Sequence, residues 1–332
     1  MTPETKMPTI GILYESDEWS DHKLARELRN ALAKEGCEAS VEMIDMEAPD
    51  AIEHALACDL LVSRVFASAR FRGHEASLAH MDELVHTATA AGIPMLNRGN
   101  AHRFEVSKQA STAALDGAGL TVPQVFACAE APDIDPAALP YPCIIKPDCG
   151  GRTTLTEILR DASQARAFLE AVSQRATQPN GGHATTPDGK HGLALPEAST
   201  ANRCPTGPHS KFMVEEYIEP ELGFLTRIEI VDGHVALVVK RSIAESGLSG
   251  YHEGSVYAPY DDCPPKLVAE AERAARTLGF DFGSFDVIEC SRGAFFIDAN
   301  SVSNVSEDCT ELLGCDLMAL HARAMAKRFA KQ

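Results

Sequence analysis

The most informative stretch of the sequence is residues 284–300, which read SFDVIECSRGAFFIDAN. Two apolar runs with polar side chains at alternate positions flank a Ser-Arg-Gly turn, a pattern that predicts an antiparallel hairpin. A three-residue loop places Asp286 opposite Asp298 and Ser284 opposite Asn300. Asp298 and Asn300 then share one face of the hairpin, because successive side chains on a strand alternate.

Facing carboxylates in such an apolar strand pair repel each other across about 4.5–5.5 Å between Cβ atoms. Either one carboxyl is protonated or a cation lies between them. Two carboxylates and an amide carbonyl are hard oxygen ligands that suit Mg²⁺ or Mn²⁺. The alternatives to a metal site are a solvated face, on which the charges matter little, and a register shifted by one residue.

Two strands upstream of the hairpin end in charged side chains. Lys146 ends the run Cys-Ile-Ile-Lys and precedes Gly150 and Gly151, whose backbone amides can approach phosphate oxygens. The alternative for Lys146 is a strand-end lysine before an ordinary turn. Glu215 and Glu216 end a strand that begins at Phe212, where they can accept from an adenine amine or simply face water.

The rest of the chain divides into three parts. Strand and helix patterns alternate over residues 1–97, which predicts a parallel α/β domain. We expect a central subdomain over 98–211, beginning with a helix over 100–118, and a C-terminal subdomain over 212–332. Residues 176–210 contain five Gly and five Pro, which predicts a mobile lid or a disordered insertion.

Composition excludes several classes of protein. The chain has 332 residues with 48 acidic and 30 basic side chains, a net charge of −18, which argues against binding to nucleic acid or to an anionic membrane. No apolar run approaches the roughly 20 residues of a membrane span, and the N-terminus has no signal-peptide pattern. Ten cysteines without a Cys-x-x-Cys pair indicate reduced thiols and a cytoplasmic protein.

Four stretches, in this order and spacing, resemble the ATP-grasp superfamily, and most closely its branch of ribosomal-protein glutamate ligases (RimK) and glutathione synthetases. They are NRGNAHRFEVSKQASTAALDGAGLTVPQ, CIIKPDCGGRTTLT, FMVEEYIEPELGFLTRIEIVDGHVALVVKRS and LGFDFGSFDVIECSRGAFFIDANSVSN. The resemblance implies an N-terminal parallel α/β domain followed by two α+β subdomains that clasp ATP between antiparallel sheets.

Site residues follow from the resemblance by position. It implies that the chain binds ATP through two lysines, two flap glycines and the strand around Glu215, with Glu219 or Glu221 at the ribose because Leu225 replaces the family's usual acid. It also implies that Asp286, Asp298 and Asn300 bind Mg²⁺. The nucleotide-binding set is Lys108, Lys146, Gly150, Gly151, Glu215, Glu216, Tyr217, Ile218 and Glu221.

The activity implied by the resemblance is ATP-dependent ligation of a carboxylate to an amine through an acyl phosphate. Arg227, Lys240 and Arg241 would hold the acyl phosphate, since arginine grips carboxylate or phosphate with two donors. The substrates would be small carboxylates and amines, including amino acids and peptides, and a homodimer is a reasonable expectation. A kinase acting on a hydroxyl and a non-catalytic nucleotide-binding regulator are the alternatives.

Overall fold

The computed structural model describes residues 7–16, 19–177, 210–250, 253–303, 310–311 and 314–331. Positions 178–209 of the predicted insertion lie outside these ranges. In the described residues, no helix combines the length and apolar character needed to cross a bilayer.

The N-terminal part is a four-stranded parallel sheet with the order β2-β1-β3-β4. Apolar residues along α1 and α3 cover its two faces and form two separate cores. The elements are β1 (Thr9–Tyr14), α1 (Trp19–Glu35), β2 (Ser40–Asp45), α2 (Ala51–Leu56), β3 (Leu60–Ser63), α3 (Glu75–Ala91) and β4 (Met95–Leu96). The predicted parallel α/β arrangement of the N-terminal part is confirmed.

The central sheet is antiparallel with the order β5-β8-β6-β7, and α6 packs on one of its faces. Its elements are β5 (Val125–Ala129), β6 (Cys143–Pro147), β7 (Glu157–Leu159), α6 (Ala162–Thr177) and β8 (Phe212–Glu216). Because β8 pairs with β5 and β6, the division between the central and C-terminal sheets falls after Glu216. A boundary between 211 and 212, as expected, would separate β8 from the sheet in which it pairs.

The C-terminal sheet is also antiparallel, with the order β11-β10-β9-β12-β13. Its strands are β9 (Phe224–Val231), β10 (His234–Ser242), β11 (Tyr257–Pro259), β12 (Phe282–Cys290) and β13 (Gly293–Asn300). Helices α4 (Ala101–Glu105), α5 (Lys108–Gly117) and α7 (Pro265–Leu278) cover one face of this sheet. The last helix, α8 (Leu317–Phe329), packs instead against α1 of the N-terminal part.

The predicted hairpin places Asp286 opposite Asp298, as expected, but by a different route. Cys290 pairs with Gly293, so the turn has two residues and not three. An extra residue, Ile297, then forms a bulge that shifts the register by one between Val287 and Asp286. The two departures cancel at the acidic pair.

The predicted helix over 100–118 is interrupted. Helix α4 ends at Glu105, and α5 starts afresh at Lys108 after Ser107, whose hydroxyl accepts a hydrogen bond from the Ala110 amide. Such an N-cap begins a new helix. The break directs the Lys108 side chain toward the C-terminal sheet, where it meets Asp298.

Candidate active site

One face of the C-terminal sheet carries a row of charged side chains in register. Arg227 on β9 pairs with Asp286 on β12, which pairs with Asp298 on β13. The next row on the same face contains Glu229, Ser284 and Asn300. The strand pairing therefore brings together the three predicted metal ligands and one predicted catalytic arginine.

Asp286 is buried between two arginines. Its Oδ1 accepts from Arg227 Nη1 at 3.1 Å and its Oδ2 from Arg241 Nη2 at 2.8 Å. Burial alone would raise the pKa of Asp286, but the guanidinium groups of Arg241 and Arg227 outweigh it and hold that pKa below its usual range. These arginines relieve the repulsion between the facing acids. This explanation requires neither a protonated carboxyl nor a metal ion.

Asp298 has its own cation. Lys108 Nζ lies 2.6 Å from Asp298 Oδ1. Burial opposes the charge of Lys108, but Asp298, with smaller contributions from Glu105 and Glu215, raises the pKa of the ammonium above its usual value. At neutral pH the Lys108 ammonium is therefore charged.

Lys146 on β6 and Glu215 on β8, the two inner strands of the central sheet, form a second buried pair. Lys146 Nζ lies 2.5 Å from Glu215 Oε1 and donates to the Ile297 carbonyl at 2.8 Å. Burial raises the pKa of Glu215, and Lys146 opposes that shift. Within the described part of the chain, Glu215 Oε2 is buried without a hydrogen-bond partner, so it is an acceptor for a donor that enters the cleft.

The same sheet face is apolar beside the charged row. Ile218, Leu225, Ile288 and Phe295 form one buried cluster. Ile218 follows the strand that contains Glu215, so this cluster begins three residues after the glutamate. Leu225, in the position where the resemblance leads one to expect an acid, is part of this apolar wall.

Gly150 and Gly151 lie against the N-terminal part. A Cβ added at Gly150 would stand 2.8 Å from Phe71 Cε2, and one at Gly151 would stand 3.4 Å from Ser68 Cβ. Both neighbours belong to a short 3-10 helix, Ala67–Phe71. The glycines therefore allow the loop after β6 to approach this helix closely, at one side of the cleft.

The side chains of four predicted site residues lie away from the charged row of the C-terminal sheet. They are Lys240, Glu221, Glu216 and Tyr217. Lys240 lies on the opposite face of the sheet, 4.2 Å from the Tyr260 ring centroid and 3.6 Å from Asp262 Oδ1. The Glu221 carboxylate accepts two hydrogen bonds from Ser291, each at 2.8 Å.

Glu216 is ion-paired with Arg292 at 2.6 Å, and its backbone amide donates to the Gln124 carbonyl. The Tyr217 hydroxyl lies near Gly247, 3.9 Å from the position of an added Cβ there. Neither side chain meets the charged row.

The residues present fit a nucleotide with Mg²⁺. The cleft offers an apolar wall, a free buried acceptor at Glu215, two lysines and three oxygen-bearing side chains in register. Among the described residues, no three His, Cys, Asp or Glu side chains form a ready-made metal cage, and the predicted set has two carboxylates with one amide. Carboxylate and amide oxygens together with phosphate oxygens are what Mg²⁺ prefers.

Glu229 and Ser303 were not predicted. Arg227 Nε donates to Glu229 Oε1 at 2.8 Å, and Arg227 Nη2 donates to Ser303 Oγ at 2.9 Å. A signal for Glu229 was present, because Arg227 and Glu229 are charged residues two positions apart in an otherwise apolar strand and so share one face. Ser303 lies beyond the hairpin, where no strand periodicity applies.

Comparison with known proteins identifies the fold. No protein-family model and no curated protein matches the chain. Among solved structures, a RimK-domain ATP-grasp protein from Sphaerobacter thermophilus is similar at 18% identity, with a TM-score of 0.61 and coverage of 96% of this chain and 98% of that one.

Two other solved structures are similar over nearly the whole chain. The D-cycloserine synthetase DcsG has 14% identity and a TM-score of 0.65, covering 96% of this chain and 99% of that one. A D-alanine–D-alanine ligase from Bacillus anthracis, complexed with ATP, has 13% identity and a TM-score of 0.59, covering 98% of each. The chain therefore has the ATP-grasp fold, and the resemblance drawn from its sequence is confirmed at the level of the fold.

Proposed function

We propose that the chain is an ATP-dependent ligase that joins a carboxylate to an amine. The observation that carries this proposal is the convergence of Arg227 and Arg241 on Asp286, beside the predicted metal ligands. Two guanidinium groups at the place where the γ-phosphate would end suit an anionic partner, a carboxylate, better than a neutral hydroxyl. The fold is shared with enzymes named as ligases and synthetases.

Binding of the nucleotide is assigned to residues of both antiparallel sheets. The adenine lies on the cluster of Ile218, Leu225, Ile288 and Phe295, and its amine donates to Glu215 Oε2. The phosphates lie near Lys108 and Lys146, with the loop at Gly150 and Gly151 beside them. The ribose is assigned to Glu219 or Glu221. Glu221 would first have to give up the two hydrogen bonds that it accepts from Ser291.

Asp286, Asp298 and Asn300 would hold Mg²⁺, which supplies charge neutralisation for the triphosphate. Asp298 Oδ1 accepts from Lys108 and both oxygens of Asp286 accept from arginines, so a metal ion held by these carboxylates would compete with those three cations. Before the nucleotide arrives, Lys108 pairs with Asp298, and Arg227 and Arg241 pair with Asp286.

The reaction needs positioning and positive charge more than a protein nucleophile. A carboxylate oxygen of the substrate attacks the γ-phosphorus, the bond to the β–γ bridging oxygen breaks, and ADP leaves. Arg227 and Arg241 hold the resulting acyl phosphate. The amine then attacks the acyl carbon, loses a proton, and inorganic phosphate departs as the amide forms. Lys240 has no part in these steps, because it lies on the other face of the sheet.

A trapping assay tests the proposal. The full chain is incubated with ATP, Mg²⁺, pooled amino and dicarboxylic acids, and hydroxylamine as the acceptor. We expect an acyl hydroxamate together with equimolar phosphate and ADP. A stable phosphorylated product without free phosphate would instead show a kinase, and nucleotide binding without turnover by any pool would contradict an enzymatic role.

The matched variants are Arg241→Met and Lys240→Met, neighbouring residues whose side chains lie on opposite faces. Arg241→Met should lower the hydroxamate rate by about 10²-fold or more, in the range found when one donor to a developing charge is removed. Lys240→Met should retain most of the activity. Equal losses in both variants would contradict the assignment.

A further inference from the structure

Two buried acceptor atoms on the active face have no hydrogen-bond partner among the residues that the structure describes. They are Oε2 of Glu229 and Oγ of Ser284. Both residues are almost fully buried, with 1% and 0% of their surface exposed. A buried polar atom without a partner costs the full desolvation of that atom, so the two atoms mark a place where a ligand supplies what the protein does not.

The strand pairing places these atoms side by side and next to the charged row. Ser284 on β12 pairs with Glu229 on β9 and with Asn300 on β13. Side chains two residues apart on one face of a strand are about 7 Å apart. A group held by Glu229 and Ser284 is therefore one row away from Asp286 and from Arg227, one of the two arginines that would hold the acyl phosphate.

The chemistry of the two atoms defines the ligand. An ionised carboxylate can only accept hydrogen bonds, and the other oxygen of Glu229 already accepts from Arg227 Nε. A group that satisfies Glu229 Oε2 has to donate, while the Ser284 hydroxyl can accept or donate. Among the groups on a ligase's substrates, an amine or ammonium supplies N–H donors, whereas a carboxylate does not.

The charge balance also favours a cation at this point. Arg227 lies between Glu229 and Asp286 and is bonded to both, and Arg241 pairs with Asp286 as well. In the proposed reaction the two arginines face the carboxylate substrate. Glu229 lies on the other side of Arg227 and has the opposite charge, which suits a cation. This sheet face therefore has a row that binds anions, at Arg227, and beside it a row of hydrogen-bond acceptors, Glu229 and Ser284.

We propose that Glu229 and Ser284 form the subsite for the amino group of the nitrogen-donating substrate. The role given to the ligand rests on the proposed ligase function, whereas the existence of an ammonium subsite does not. Glu229 binds the amine directly, and Arg227 positions Glu229 by holding its other oxygen. The subsite selects a primary or secondary amine, and it disfavours an anion or a fully substituted ammonium.

Saturation-transfer NMR with methylammonium chloride tests the subsite on the full chain, without requiring turnover. The wild type should show saturation transfer to the methyl group, and tetramethylammonium, which has no N–H donor, should neither show it nor compete. Glu229→Gln should bind methylammonium at least tenfold more weakly, a change of about 1.4 kcal/mol. Glu289→Gln is the matched control, because Glu289 is on the same strand pair but faces the other side, where it accepts from Thr226.

Ser284→Ala is a second variant that keeps the test decisive if Glu229→Gln does not fold. It removes a hydroxyl that bonds to none of the described residues, so the fold is retained, and methylammonium binding should fall at least threefold. Equal affinity in the wild type and either folded variant, or no saturation transfer in the wild type, would overturn the subsite. Hydroxamate formation is measured separately, so a failed ligase assay with intact methylammonium binding would count against the function alone.

Discussion

Asp298→Asn removes one charge from the Lys108–Asp298 pair while keeping the shape of the side chain. The two groups are 2.6 Å apart, and their side chains are 10% and 24% exposed. Breaking a fully buried ion pair costs about 3–5 kcal/mol, and a hydrogen bond to a charged group contributes about 1.5–3 kcal/mol. Because Asp298 is partly exposed and Asn can still accept from Lys108, we expect a loss of about 2 kcal/mol.

Urea unfolding at neutral pH measures this loss. Lys108 has a raised pKa in the folded chain, so its contribution is fully present below its unfolded pKa of about 10.4 and does not vary near pH 7. Asp262→Asn is the control, since Asp262 is 85% exposed and lies 3.6 Å from Lys240 on the other face of the same sheet. A surface pair of this kind contributes about 0–1 kcal/mol.

The nucleotide response separates a structural role from a metal-binding one. AMPPNP with Mg²⁺ at 100 times its Kd should stabilise the wild type and Asp262→Asn by about 2.7 kcal/mol. Asp298→Asn should lose most of this stabilisation and all measurable turnover. Retention of the full Mg²⁺-dependent stabilisation in Asp298→Asn would refute the reasoning, even if the variant were less stable without ligand.

Three further outcomes are expected. Lys146→Met leaves the buried Glu215 carboxylate without its cation and should lower the free energy of unfolding by about 3–5 kcal/mol. Adding Glu215→Gln should recover part of that loss, as measured by urea unfolding. Strictly additive losses would contradict a coupled pair. The pKa of Asp286 is lowered in the folded chain, so its charge stabilises the fold above its unfolded pKa of about 3.9, and this contribution is lost as the pH falls. The stability deficit of Asp286→Asn should therefore shrink from about pH 5 to pH 3, whereas a constant deficit would argue against the shift. Gly150→Ala places a Cβ 2.8 Å from Phe71. It should raise the KM for ATP and lower the free energy of unfolding by about 1–3 kcal/mol, and adding Phe71→Leu should restore the KM. A normal KM in the single variant would show that the loop does not depend on this contact.

The sequence predicted most of the fold because its periodic patterns are strong and local. Leu24, Leu28 and Leu32 recur at helical spacing and all lie in the N-terminal core. Elements without such a pattern were missed, namely Val125–Ala129 and Tyr257–Pro259. The edge strand at 125–129 is only half-buried along its length, so it lacks the clear alternation that marks the strands of the hairpin.

The candidate site was predictable where it depends on register and unpredictable where it depends on distant partners. Alternation along β12 and β13 places Asp286 opposite Asp298. The same alternation applies to Lys240 and Arg241, which cannot both face one cleft, so this part was within reach of the sequence. That Arg227 and Arg241 would neutralise Asp286 depends on the pairing of β9 with both β10 and β12, which no local pattern specifies.

The most direct measurement is a crystal structure of the full chain with AMPPNP and Mn²⁺, in which anomalous scattering locates the metal. We expect a peak about 2.1 Å from oxygens of Asp286, Asp298 and Asn300, the adenine against Ile288, and Lys108 withdrawn from Asp298 toward a phosphate. Nucleotide density away from this sheet face, or a metal peak that contacts none of the three side chains, would contradict the assignment.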